Sequence, residues 1–102
     1  MNLTEIKGYE LLVKAILSVE TEEECAALIE DLMTIKEIND MAQRMLVAKL
    51  LSEQTVYYKI VEETGASTTT ISRVNRAYTY GSGGYKKALS AIVSEKNEEE
   101  DK

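Results

Sequence analysis

Along the whole chain the apolar residues recur at spacings of three and four, the period of an amphipathic helix, and no segment makes a convincing strand. Over residues 3–17 the stripe is Ile6, Tyr9, Val13, Ile16 and Leu17, and Leu11, Leu12 and Ala15 widen it beyond one face. A helix apolar on two sides needs a second surface to bury it. Thr21 and Glu24 then have the spacing of a capping box, in which hydroxyl and carboxylate satisfy free backbone donors at a helix start. The helix behind it carries Cys25, Leu28, Ile29 and Leu32. Thr34 and Glu37 repeat the signature ahead of a longer helix through Ile38, Met41, Ala42, Met45, Leu46, Ala48 and Leu50. The pattern breaks at Ser52-Glu53-Gln54. Thr55 is the expected cap of a fourth helix over 56–63, Gly65 ends it, and Ser67 caps a fifth reaching about Tyr78. Gly81-Ser82-Gly83-Gly84 reads as a flexible joint before a sixth helix holding Tyr85, Leu89, Ile92 and Val93. The expected fold class is all-α: one helical domain over 1–94, with a helix-turn-helix at 56–78 and an acidic, disordered tail over 95–102.

Composition narrows the picture. A chain of 102 residues fits one domain with a modest core, and 44% apolar residues exclude a disordered chain. No apolar run is long enough to span a membrane, and the first residues lack the basic-then-apolar order of a signal peptide. Cys25, the only cysteine, reads as a small buried hydrophobe in a reducing compartment, so the expected location is the cytoplasm. With no histidine and one cysteine, neither a metal site nor a cofactor is expected, and no enzyme either: there is no Cys/His pair, and Gly81–Gly84 lacks the Lys-Ser/Thr ending of a phosphate loop. The net charge of −6 is unevenly spread. Residues 1–56 hold 5 Lys/Arg against 11 Asp/Glu, residues 57–94 hold 5 against 2, and residues 95–102 hold 2 against 5. Attraction to phosphate depends on the local face, and the basic excess falls on the segment, 57–94, that carries the helix-turn-helix.

Tyr57 to Arg76 reads as one functional unit. Ile60 and Val61 supply the apolar face of the first helix, Gly65 tolerates the positive φ of the turn, Ala66 is small enough to tuck under the crossing, and Ser67 caps the second helix. Ile71 and Val74 face back onto the first helix. That leaves Thr68, Thr69, Thr70, Ser72, Arg73 and Arg76 as the candidate DNA-contacting residues, near the end that a recognition helix presents to the major groove. Tyr57 and Tyr58 are candidates for the DNA backbone through their hydroxyls. Tyr78, Tyr80 and Tyr85 are expected to pack around the last joint.

On Leu32-Met33-Thr34, Met41-Ala42-Gln43-Arg44 and Gly65-Ala66-Ser67-Thr68-Thr69-Thr70-Ile71-Ser72-Arg73, the chain resembles the Trp-repressor superfamily, and specifically its YerC/YecD branch. The resemblance runs from about Leu11 to Tyr78. It implies a six-helix, intertwined homodimer whose N-terminal helices interlock, on an operator with half-sites about one helical turn apart. In Trp repressors the ligand lies between two arginines, and Arg44 and Arg73 stand at those positions. Thr34 corresponds to a threonine that helps hold the ligand carboxylate, and the carbonyls of Asp31 and Met33 to those that meet its ammonium. Two residues depart from that pattern: Val74 replaces a glycine at the pocket wall, and Ala77 replaces a serine whose hydroxyl receives the ammonium, a loss of about 1–3 kcal/mol. The implied effector is therefore an amino acid or related metabolite other than tryptophan. The branch resembles a group of repressors, some linked to histidine biosynthesis.

The function expected from the sequence is a sequence-specific transcriptional regulator, a repressor that binds double-stranded DNA at a palindromic operator as a dimer. The alternative is a helical adaptor that uses the same surface for a protein partner.

Overall fold

The computed structural model describes residues 2–100, with side chains described through Glu95. Among the described residues there is no strand, and the helices run α1 Tyr9–Leu17, α2 Glu22–Leu32, α3 Ile35–Ser52, α4 Tyr57–Thr64, α5 Thr68–Tyr80 and α6 Gly84–Glu100. None is long and apolar enough to cross a membrane. By its internal packing the chain gathers into two compact units, Met1–Ile38 and Asn39–Lys102.

In the first unit the chain opens with a 3₁₀ turn at Leu3–Glu5, capped by Asn2 Oδ1, which accepts from the Thr4 N–H at 3.1 Å. The single helix expected over 3–17 is thereby shortened. Gly8 takes a left-handed φ of 89° and restarts the chain as α1. Both threonines cap their helices, and the box closes in full at α3. Thr21 Oγ1 accepts from the Glu24 N–H at 3.1 Å, and Glu24 reaches back to the Glu20 N–H at 2.9 Å. At the start of α3 the exchange is reciprocal: Thr34 Oγ1 accepts from Glu37 N–H at 3.2 Å and Glu37 Oε1 accepts from Thr34 N–H at 2.9 Å. No residue of α1 or α2 is buried. Leu11 is 73% exposed and Leu17 76% exposed, and Ile16 and Leu32 are also open. Cys25, expected inside, is exposed, on a helix that holds no fully buried residue.

The buried core lies in the second unit. It joins Val47 and Ala48 of α3, Ile60 of α4, Ala66 of the turn, Ile71 and Val74 of α5, and Leu89 of α6. Leu50, Leu51, Tyr78 and Tyr85 pack around it. Each fully buried aliphatic side chain contributes about 1.5–3 kcal/mol relative to exposure, so the second helix of the motif is anchored by Ile71 and Val74 together. The end of α3 corrects the role expected of Thr55. Gln54 adopts a left-handed φ of 61°, its N–H donates to Leu51 O at 3.0 Å, and the Thr55 N–H donates to Leu50 O at 3.0 Å. That is a Schellman closure of α3, so Thr55 serves the helix behind it. The N-cap of α4 is Val56, without a side-chain bond. At the other end, α5 runs to Tyr80 and α6 to Glu100; of the tail expected over 95–102, residues 101–102 lie outside the described residues.

Candidate nucleic-acid interface

The α4–turn–α5 segment is held by satisfied polar groups at each step. Gly65 closes α4 with φ 71°, and its N–H donates to Val61 O at 2.8 Å. A Cβ built on Gly65 would meet nothing within 4 Å, so the requirement there is for backbone conformation and not for space. Thr64 adds a staple that the sequence did not reveal. Its hydroxyl donates to Ile60 O at 2.6 Å and accepts from the Ala66 N–H at 3.1 Å. From α3, Gln43 Nε2 donates to Thr64 O at 3.2 Å, filling one of the carbonyls a helix end leaves open. Ser67 then caps α5: its Oγ accepts from the Thr70 N–H at 3.1 Å and donates to Thr70 Oγ1 at 3.1 Å.

With that geometry α5 has two distinct faces. Ile71 and Val74 are buried against Ile60 and Ala66 in the core, while Thr68, Thr69, Ser72, Arg73 and Arg76 are exposed. Val61, expected to share the inner face of α4 with Ile60, is 36% exposed, because the crossing covers the Ile60 side alone. Thr70 stands apart from its neighbours: it is half-buried and its hydroxyl is engaged by Ser67. Tyr57 and Tyr58 are both exposed, Tyr58 the more so. Tyr78 and Tyr85 pack on the core as expected, but Tyr80 does not; it is 84% exposed. Neither Arg73 nor Arg76 has an acidic partner among the described residues. Arg73 and Arg76 thus place two cations on one face of one helix, without an ion pair to any described residue.

On the side of α5 toward α3 and α6 lies a cleft of about 380 Å³. Arg44 and Arg73 both line it, with Asp40, Gln43, Thr70, Val74, Ala77 and Tyr85. The fold thus brings together the two arginines, and both residues that depart from the Trp-repressor pattern sit in the same wall. Arg44 is half-buried, and its Nη1 donates toward Met41 Sδ at 3.8 Å. Thr34, the third candidate effector residue, belongs to the first unit with Asp31 and Met33, and its hydroxyl is spent on capping α3.

The sequence model described as Trp repressor protein matches residues 7–93. The chain belongs to the Trp repressor family. Its relatives include the uncharacterized protein YerC of Bacillus subtilis (strain 168), 44% identical over 104 residues with both chains covered in full. Among solved structures it is similar to a TrpR-like protein from Eubacterium eligens ATCC 27750, with 44% identity, a TM-score of 0.80, and 86% of this chain and 91% of that one covered. It is also similar to a candidate Trp repressor from Staphylococcus aureus, with 37% identity, a TM-score of 0.82, and coverage of 90% and 94%. The six-helix, strand-free architecture expected from the sequence is the one these Trp repressor-like structures share. A helix-turn-helix regulator fold is what the family membership adds to the exposed cationic face of α5.

Proposed function

We propose that the protein is a transcriptional repressor that binds a two-fold operator as a homodimer in the cytoplasm. The start of α5 enters the major groove, where Thr68, Thr69, Ser72 and Arg73 reach base edges and phosphates. The observation that carries this reading is the division of α5 into a buried face of Ile71 and Val74 and an exposed polar, cationic face on the second helix of the motif. Dimerisation is supported by the first unit, whose helices hold no fully buried residue and expose Leu11, Ile16 and Leu17. Apolar surface of that extent on a small chain calls for a second surface to cover it. An effector, an amino acid or related metabolite other than tryptophan, is supported by the Arg44–Arg73 cleft, with Val74 and Ala77 in its wall. Histidine biosynthesis is the metabolic setting suggested by the YerC/YecD resemblance.

The test is selection of bound fragments from a genomic library, with and without free amino acids. The expected result is recovery of a palindromic site whose affinity falls steeply with salt. Substituting Thr69 or Ser72 then changes the preferred sequence. Equal binding to random and selected duplexes ends sequence-specific repression as the function, and recovery of a stoichiometric protein partner with no DNA retained favours the adaptor.

A further inference from the structure

Tyr80 is the residue the sequence reading placed in the packing and the structure places outside it. It ends α5, is 84% exposed, and stands between two clefts that share the same arginines. One, of about 470 Å³, is lined by Tyr57, Ser72, Arg73, Asn75, Arg76 and Tyr80, and so reaches from the first residue of α4 to the last of α5. The other, of about 420 Å³, is lined by Arg73, Arg76, Ala77, Tyr80 and Gly81. At 100° per residue Arg73, Arg76 and Tyr80 fall within about 60° of one another around the helix, so they form a single stripe.

From these placements we propose that Tyr80, Arg76 and Tyr57 form a clamp for one backbone phosphate of duplex DNA, flanking the groove entered by the start of α5. This deepens, and rests on, the DNA-binding reading above. The chemistry is matched: a phosphate oxygen accepts several hydrogen bonds, two phenols and a guanidinium supply donors, and Arg76 adds the charge. Distance decides between phosphate and base. With Thr69 at the base edges, Tyr80 lies eleven residues on, about 16 Å along the axis. The major groove is only about 8.5 Å deep, so a side chain at that height is level with or beyond the phosphate rim. The clamp therefore contributes affinity and register without reading sequence.

The test uses the full chain and two variants that keep the ring and lose only the hydroxyl, Tyr80→Phe and Tyr57→Phe, with Arg76→Ala as the charged reference. Titration is against a short random-sequence duplex and against the duplex recovered by selection, across a salt series. Tyr80→Phe is expected to weaken both duplexes by the same factor, roughly three- to tenfold. The salt slope should be unchanged, because no charge is lost. Arg76→Ala weakens both and lowers the slope by about one. When Tyr80→Phe and Tyr57→Phe are combined in one chain, the losses fall short of additive, as expected when two groups hold the same phosphate. Unfolding midpoint and oligomeric mass stay as in the parent. Wild-type affinity for both duplexes in Tyr80→Phe overturns the clamp while leaving the DNA reading intact. A loss confined to the selected duplex also overturns it, by making Tyr80 a base contact. Failure of the parent protein to bind any duplex removes the DNA reading and the clamp with it.

Discussion

Replacing Gly65 by alanine isolates what the turn of the motif demands. The residue sits at φ 71°, and a Cβ there would touch nothing within 4 Å. Sterics against the rest of the protein therefore contribute nothing, and the N–H bond to Val61 O can persist. What remains is the left-handed conformation itself, which costs an L residue about 1–2 kcal/mol. Alanine recovers part of this by restricting the unfolded chain, an effect of about 0.4–1 kcal/mol in the opposite direction. The net expectation is a destabilisation of about 1 kcal/mol, or about 4–8 °C in midpoint for a domain of this size. Gly65→Asn should lose less, because a short polar side chain tolerates that region. The assay is urea unfolding at one fixed protein concentration, since association would shift the apparent stability. A stabilised Gly65→Ala would refute the reasoning, because it would mean the turn does not need a positive φ. A loss beyond about 3 kcal/mol would refute it differently, by pointing to packing where the structure shows open space.

Other substitutions probe the parts around it. At Gly81 the constraint is space: a Cβ would run into the carbonyl oxygen of Ala77, so Gly81→Ala should destabilise despite an ordinary φ of −82°, and a midpoint unchanged in thermal unfolding would contradict this. Ser67→Ala removes the cap of α5 and should cost about 1 kcal/mol by chemical denaturation, with Ser67→Asp close to neutral. Ile71→Ala empties a fully buried site under the same helix and should cost about 2–5 kcal/mol in the same assay. Leu11→Glu places a charge on the open apolar face of α1, and light scattering should show the proposed dimer shifting to monomer; a dimeric mass that does not change would refute a contact through this face.

Much of this protein is local, and what is local was legible. The two Thr-x-x-Glu boxes, Gly65 and Ser67 act within one turn of chain, so their roles follow from residue type and spacing, and the structure has each of them where the sequence put it. The errors have a common character. Thr55 was a plausible cap, yet its N–H closes α3 because Gln54 turns left-handed, a choice between two neighbouring helices that spacing does not resolve. The Thr64 hydroxyl staple is local, and residue type beside the turn glycine is its one signal; the bond from Gln43 of α3 to the Thr64 carbonyl is not local, and spacing does not show it.

Residue order alone carries which positions are apolar, where the inner helices α2 to α5 begin and end to within a few residues, and that α5 has one face to bury and another to display; the outer ends of α1 and α6 fall about six residues from where periodicity puts them. Periodicity is a property of a single helix, and it cannot say which of two adjacent apolar residues another helix will cover. Tertiary structure made those decisions. The crossing of α4 and α5 covers Ile60 and leaves Val61 open; it turns Tyr80 outward beside Tyr57; and packing on α3 brings Arg44 to the same cleft as Arg73. Each of these depends on the angle between helices, which the αL turn and the buried Ile60–Ala66–Ile71 contact set together, and no reading of one segment alone contains it.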